Sequence, residues 1–355
     1  MKKHSPPLIL FTGGGTGGHV YPGLAVLEEL ELKNKFRFAW MGSYLGVERR
    51  IIKQRGIPYF AVLAGKLRRY FSWQNFWDVF KVIGGFFQSL NLLRKLRPQL
   101  LFSKGGFVTV PPVLAARILG IPVFSHESDF DPGLATKINF RSTKRQFVAY
   151  RETLRFFPSQ NYGRLKFTGN PVRAELFQGD SNLFYQSCPV AQGKTILLVL
   201  GGSLGAQDLN ELVFSLLPKL NNYFIIHQTG DHPHPNPKEN YYPQAFFQRE
   251  LADILCVADI VISRAGAGSL WELAGLRKKM ILVPLIKGSR GDQILNAKRL
   301  GNHPTVRVVL DQNDSSVLLQ AIQELLPLAE NDYPEYQPEL ARKTIAKEVE
   351  EYLAL

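Results

Sequence analysis

Gly13-Gly14-Gly15-Thr16-Gly17-Gly18-His19 follows the apolar run Leu8-Ile9-Leu10-Phe11 and precedes Val20, Leu24, Ala25, Leu27 and Leu30 at helical spacing. The short run reads as a buried strand and the periodic segment as a helix. Strand, glycine loop and helix start together make a place for phosphate. Glycine lets the backbone come close to a ligand, and the loop N–H groups and helix dipole favour an anion. A loop so rich in glycine is costly to order, which argues against a bare turn.

Three readings fit the loop. Gly13, Gly15 and Gly18 satisfy the G-x-G-x-x-G dinucleotide fingerprint, which also asks for an acid at the end of the next strand. That strand, Phe36–Met41, runs into Gly42-Ser43, with no acid. Gly13 and Gly18 have Walker A spacing, but His19-Val20 stands where Lys-Ser/Thr is needed. The third reading is a phosphate loop of another kind, with a histidine at its rim.

With 355 residues the chain has room for two domains, each with its own core. A net charge of +13 points to an anionic partner: nucleic acid, anionic lipid or a phosphorylated substrate. Nucleic acid is set aside, because no zinc, helix-turn-helix or RNP motif is present. Cys188 and Cys256 are far apart and form no metal motif, which fits a reducing cytosol. The apolar run after Met1-Lys2-Lys3 ends at Gly13, too soon for a signal peptide. No uncharged apolar run nears the roughly 18 residues of a membrane span, so none is expected.

Residues 8–63 alternate short apolar runs with helical segments, the rhythm of βαβ units and a parallel sheet. Residues 66–97 change character: Lys66, Arg68, Arg69, Lys81, Arg94, Lys95 and Arg97 face a single acid, Asp78, among many aromatics. Trp73, Phe76, Trp77, Phe80, Ile83, Phe87 and Leu90 follow helical spacing, as a core stripe does. Aromatics beside cations equally suit an interfacial helix on anionic lipid. Strands resume at Leu100-Leu101-Phe102 and at Ile121–Phe124, the latter ending in Ser125-His126-Glu127. Thr168-Gly169-Asn170-Pro171 reads as a turn or linker. Thr195–Leu200 then restarts the pattern and enters a second glycine loop, Gly201–Ala206. Asp259–Ser263 meets Arg264-Ala265-Gly266, and Met280–Val283 is a further strand. Residues 231–244, rich in Pro, His and Asn, read as a surface loop. Each half thus opens with a buried strand and glycine loop, and each has a later Ser-basic-Gly loop. Two Rossmann-like domains are expected, with ligands at the carboxyl ends of the strands.

The motifs Gly-Gly-Thr-Gly-Gly-His, Gly105-Gly106-Phe107, His126-Glu127, Gly169–Arg173, Gly201–Ala206, Ser263–Ala267 with Glu272, and Gln293–Ala297 stand in the order of one family. Together they resemble MurG, the undecaprenyl-diphospho-muramoylpentapeptide N-acetylglucosaminyltransferases of peptidoglycan synthesis, over nearly the whole chain. The resemblance implies an α/β GT-B fold, with two Rossmann-like domains facing an interdomain cleft. It implies an N-terminal acceptor and membrane-docking domain at 1–168 and a donor-binding domain at 169–339, with a helix at about 340–355 packing back on the first. The implied reaction is inverting transfer of GlcNAc from UDP-GlcNAc to lipid I, giving lipid II, with no cofactor and no metal. Implied partners are UDP-GlcNAc, lipid I, an anionic membrane surface and other cell-wall enzymes. The implied location is the cytoplasmic face of the inner membrane, bound peripherally.

Site residues carry over by position. Thr16, Gly17, Gly18, Asp129, Arg173, Ser203, Arg264, Glu272 and Gln293 fall at donor-binding positions. Gly14, Gly15, Lys104, Gly105 and Gly106 fall where an acceptor diphosphate is expected. Lys66, Arg68, Arg69, Trp73, Phe76, Trp77 and Phe80 form the candidate membrane face. His19 is read as the general base, or as a hydrogen-bond donor to the acceptor diphosphate, with Glu127 the other candidate base. His126 is read as a structural histidine. Helix stabilisation is the competing reading of Glu272. The chain departs from the family's usual His-Glu-Gln-Asn with His126-Glu127-Ser128-Asp129, from Gly-Met with Ser103-Lys104, and from Gln with Leu204. The alternatives are a nucleotide-cofactor oxidoreductase built on the first loop, or a basic lipid-binding protein without catalysis.

Overall fold

The structure is a computed structural model. It describes residues 6–66, 73–202, 205–286, 291–312, 314–330 and 332–354, without the side chains of 73–75. Arg68, Arg69, Ser203, Leu204 and the Trp73 side chain lie outside the described residues.

The chain divides into two compact units, residues 1–173 with 337–355, and residues 174–336. The sequence places the first boundary after residue 168, at a turn. The first unit instead keeps the segment that follows, because side chains tie it down. His126 Nε2 lies 2.9 Å from the Gly169 carbonyl, and Ser128 Oγ donates to Asn170 Oδ1 at 2.5 Å. A turn signal marks a bend, and buried hydrogen bonds decide which core the bend belongs to.

The strands of the first unit are β1 (Leu8–Thr12), β2 (Arg37–Ser43), β3 (Tyr59–Val62), β4 (Leu100–Ser103), β5 (Val123–Glu127), β6 (Arg145–Val148) and β7 (Leu165–Phe167). They form one parallel sheet in the order β3-β2-β1-β4-β5-β6-β7. The order reverses between β1 and β4, and crevices for ligands open at such a switch point. A parallel sheet is covered on both faces, so its strands read as unbroken apolar runs. The helices here are α1 (Tyr21–Glu31), α2 (Val47–Gln54), α3 (Trp73–Leu96), α4 (Val110–Ile118) and α5 (Leu134–Asn139). One face, with Ile9, Phe11, Trp40, Phe102 and Phe124, packs against Leu24 and Leu27 of α1 and Ile345, Ala346 and Val349 of the last helix, Pro338–Ala354. The other, with Leu10, Met41, Leu101 and Val123, packs against Leu93 of α3 and Val113 and Ala116 of α4.

The second unit has α6 (Ser181–Ser187), β8 (Thr195–Leu200), α7 (Gln207–Leu216), β9 (Tyr223–Gln228), β10 (Tyr241–Gln244), α8 (Leu251–Val257), β11 (Ile260–Ser263), α9 (Ala267–Gly275), β12 (Lys279–Leu282), α10 (Asp292–Leu300), β13 (Val306–Val308) and α11 (Ser315–Leu325). Its sheet is also parallel, in the order β10-β9-β8-β11-β12-β13. The end of the expected 231–244 surface loop is in fact β10, with Tyr241 buried in the core of this unit. Polar neighbours hide a strand so short from a periodicity reading.

α3 resolves the aromatic stripe. Toward its end, Phe86, Leu90 and Leu93 pack on the sheet. Toward its start, Phe76 (58%), Trp77 (66%) and Phe80 (53%) stay exposed and touch one another, with Phe76 and Phe80 ring centroids 5.1 Å apart. The inner side of this first part is Asp78, whose backbone presses so close to Gly65 that a Cβ there would lie 2.1 Å from the Asp78 carbonyl oxygen. A helix with a polar residue inward and aromatics outward is the reverse of a core stripe.

The last helix completes the cover of the first sheet. Arg342 anchors it by donating to Glu29 of α1 at 3.1 Å, with both side chains largely buried. Ile345→Ala is expected to lower the stability of the first unit by about 2–5 kcal/mol, as large-to-small core changes do. Hydrogen exchange resolved by segment checks this: protection falls in β1, β4 and α1 and is kept in β8 and β11.

Candidate active site

The two loops at the switch point are packed on each other. The loop after β1 closes in a 3₁₀ turn, Gly17–His19, before α1 begins. The loop after β4 passes through Gly105 (φ +88°) and Gly106 (φ +81°), a backbone shape suited to glycine. A Cβ on Gly106 would lie 2.7 Å from the Gly14 carbonyl oxygen and 2.9 Å from the His19 ring. Only bare backbone fits there. His19 therefore sits at the seam of both loops, half-buried, with Thr16 and Gly18 exposed beside it.

Below the seam is a buried polar layer. The Lys104 ammonium donates to Ser128 Oγ at 2.7 Å, and Ser128 passes the bond on to Asn170. Lys104 is 1% exposed, and burial pulls its pKa down to about 8 against the opposing charges of Glu127 and Asp129. A direct contact from Lys104 to a diphosphate, expected from the sequence, is at odds with this burial. His126 is fully buried, and burial with the nearby Lys104 charge holds its pKa well below the ordinary value. It is a neutral ring anchoring Gly169. Glu127 accepts from the Asp129 N–H (3.0 Å), the Gly133 N–H (3.1 Å) and the Thr136 hydroxyl (2.5 Å). Its lone pairs serve the loop that leads to α5. Arg173, largely buried, lies over the Tyr21 ring with 4.0 Å between guanidinium carbon and ring centroid.

The sequence reading overlooks Glu48. It lies in the first turn of α2, fully buried. Its carboxylate accepts from the Gly15 N–H at 3.0 Å, the Ser43 N–H at 2.9 Å and the Ser43 hydroxyl at 2.5 Å. The acid missing from the end of β2 thus arrives from the next helix and turns inward.

In the second unit, α7, α9 and α10 start without a side-chain cap, whereas α6 and α11 are capped by Asp180 and Asp314. The positive end of a helix dipole suits an anion. Glycines shape the loop before α7: Gly202 and Gly205 have φ of +83° and +74°, and a Cβ on Gly205 would lie 2.8 Å from the Thr229 carbonyl oxygen. Glu272 lies half-buried on α9. Gln293 Oε1 accepts from the Leu285 N–H at 2.9 Å. Arg264 is turned into the protein: it pairs with Asp208 of α7 and donates to the Val283 carbonyl at 2.9 Å. It ties its own loop to α7 and to the segment after β12, which leaves little of it for the donor contact expected from the sequence. Among the described residues, no group of three or more His, Cys, Asp and Glu side chains is placed to hold a metal ion.

Comparison with known proteins places this geometry. The glycosyltransferase family 28 N-terminal domain matches residues 9–148, and the family 28 C-terminal domain matches residues 196–351. A protein of Treponema denticola, named UDP-N-acetylglucosamine--N-acetylmuramyl-(pentapeptide) pyrophosphoryl-undecaprenol N-acetylglucosamine transferase, is 44% identical over 86% of this chain and 84% of its own length. One of the same name from Treponema pallidum is 45% identical over 88% of this chain and 85% of its own. The chain belongs to the MurG family, within glycosyltransferase family 28. The crystal structure of Acinetobacter baumannii MurG shares the fold, with a TM-score of 0.65 and 24% identity over 98% of this chain and 100% of that one.

In this family member the switch point brings together Gly14, Gly15, Thr16, Gly17, Gly18, His19, Gly105 and Gly106. Lys104, Glu127 and His126 lie beneath them as support. The Lys104 charge gives a pH test. Its pKa is about 8 when folded and near 10.5 when unfolded, so between these values the unfolded chain holds more protons. Stability contributed at this site therefore rises with pH through that window. The unfolding midpoint of the wild type relative to Lys104→Met should move in favour of the wild type as pH is raised from neutral through about 8 toward 10.5. Parallel urea titrations of the two proteins check the sign.

Proposed function

We propose that this transferase moves GlcNAc from UDP-GlcNAc to the C4 hydroxyl of MurNAc in lipid I, forming lipid II with inversion at the anomeric carbon. The observation that carries the reading is family membership joined to two glycine-loop edges, each on its own parallel sheet. The acceptor oxygen attacks the anomeric carbon as the bond to UDP breaks, UDP leaves with the electron pair, and a base takes the hydroxyl proton. His19 is the proposed base. Its place between the two loops supports this, and the engagement of Glu127 with three internal donors speaks against that residue as the alternative.

The loop edge at Gly14, Gly15, Gly105 and Gly106 is assigned to the acceptor diphosphate, with the Gly15 N–H itself held by Glu48. The donor is assigned to Thr16, Gly17, Gly18, Arg173, Ser203, Glu272 and Gln293. Glu272 takes the ribose hydroxyls, and Asp129 accepts from a sugar hydroxyl. Gln293 gives its oxygen to Leu285, so a sugar contact comes from its NH₂ group. Charge building on the departing UDP is offset by Arg173 and by the positive ends of helix dipoles, without a metal. The enzyme works at the cytoplasmic face of the inner membrane. The exposed rings of Phe76, Trp77 and Phe80 enter the interface, and the cations around Lys66 meet anionic headgroups.

The deciding assay is UDP release from UDP-GlcNAc that depends on a lipid I analogue, run with and without EDTA. Release that EDTA abolishes and Mg²⁺ restores contradicts the metal-free reading. His19→Ala should lower turnover by about 10²–10⁴-fold, the usual contribution of a general base, with UDP affinity kept. Near-normal turnover removes His19 from the mechanism.

Trp77→Ser with Phe80→Ser should weaken co-sedimentation with anionic vesicles even at high salt, because apolar insertion is not screened. Unchanged co-sedimentation moves the docking face elsewhere.

A further inference from the structure

We propose that Glu48 is a positioning residue for the transfer reaction, fixing the shape of the Gly13–His19 loop and thereby the place of His19 and of the N–H groups offered to the acceptor diphosphate. The proposal rests on the function proposed above.

The geometry is that of an internal ligand. Glu48 Oε2 takes the Gly15 N–H, while Oε1 takes both donors of Ser43. One carboxylate thereby joins the loop after β1 to the end of β2. Ser43 is held in turn: its hydroxyl accepts from the Gly46 N–H at 3.0 Å, and its carbonyl accepts from the Tyr59 hydroxyl at 2.6 Å. The seat is cut to the carboxylate by glycines. A Cβ would lie 2.4 Å from Glu48 on Gly14, 2.9 Å on Gly42 and 2.0 Å on Gly46. On the other side of the loop, a Cβ on Gly15 would lie 2.8 Å from the Phe107 ring. The loop is thus clamped between a buried acid and an aromatic ring from the second loop.

Two consequences follow for a bound anion. The Gly15 N–H is committed to Glu48, so a diphosphate is served by the N–H groups further along, toward His19. A carboxylate buried beside the loop also repels a second anion from its own side. Both effects direct the acceptor diphosphate to the seam where His19 stands. Glu48 touches no substrate in this scheme and acts through the loop.

Glu48→Gln and Glu48→Ala test this, with three readouts. Glu48→Gln replaces one acceptor oxygen by a donor facing an N–H or a hydroxyl. It should cut kcat/KM for a lipid I analogue by about ten- to a hundredfold, the usual cost of losing a charged hydrogen bond. UDP affinity should be unchanged. Hydrogen exchange at the Gly15 amide should be faster in both variants. Formate, a free carboxylate, should restore part of the activity of Glu48→Ala and do nothing for the wild type. A folded Glu48→Gln with wild-type kcat/KM overturns the proposal. So does an equal fall in UDP affinity, or an inactive Glu48→Ala that ignores formate and keeps wild-type exchange at Gly15. Lipid I-dependent turnover by the wild type is read separately, so failure of the proposed function shows there while Gly15 exchange still reports on Glu48.

Discussion

Parallel pairing of seven strands obliges the first unit to bury both faces of its sheet, and most of its architecture answers that demand. Parallel neighbours need crossover connections, α-helical after β1 to β5 and 3₁₀ after β6, so every strand ends at the same edge. The glycine loops gather at that edge because the helices start there. One face remains short of cover after α1 and α2, and the last helix closes it through Ile345, Ala346 and Val349. The chain leaves the first unit at Arg173 and returns to it at Gln337. The second sheet satisfies the same demand within one continuous stretch.

Charges buried at the loop edge are used internally. Glu48 holds the first loop, Glu127 holds the loop before α5, and Arg264 joins Asp208 to the Val283 carbonyl. Each is paired with donors or acceptors that match it, as burial of a charge requires. The Lys104 ammonium costs more, and its depressed pKa records that cost. Such groups shape the backbone that meets a ligand. Thr16 and His19, by contrast, lie at the surface of the seam.

α3 shows the same separation of roles within one helix. Its inner side toward the end is core, with Leu93 buried, while Phe76, Trp77, Phe80, Ile83 and Phe87 along the helix stay exposed. The inner side of the helix meets backbone at Gly65 and at Leu63, opposite Asp78 and Gly85, and the exposed rings lie on the other side.

The amino-acid sequence by itself determined the βα rhythm, the two glycine loops and the family, since these rest on local patterns: apolar runs, glycine spacing and motifs in order. It also marked His19, which the tertiary structure brings to the seam of two loops. It did not show β6, β7, β9, β10 or β13, which are short or mixed with polar residues and become strands only beside a partner. It did not show that Lys104 and Arg264 point inward, because the direction of a long side chain is decided by what surrounds it. Above all it did not show Glu48, whose bond to Gly15 spans 33 residues of chain. The dinucleotide fingerprint places its acid at the end of β2 along the chain, whereas this carboxylate reaches the loop across space, through the turn into α2.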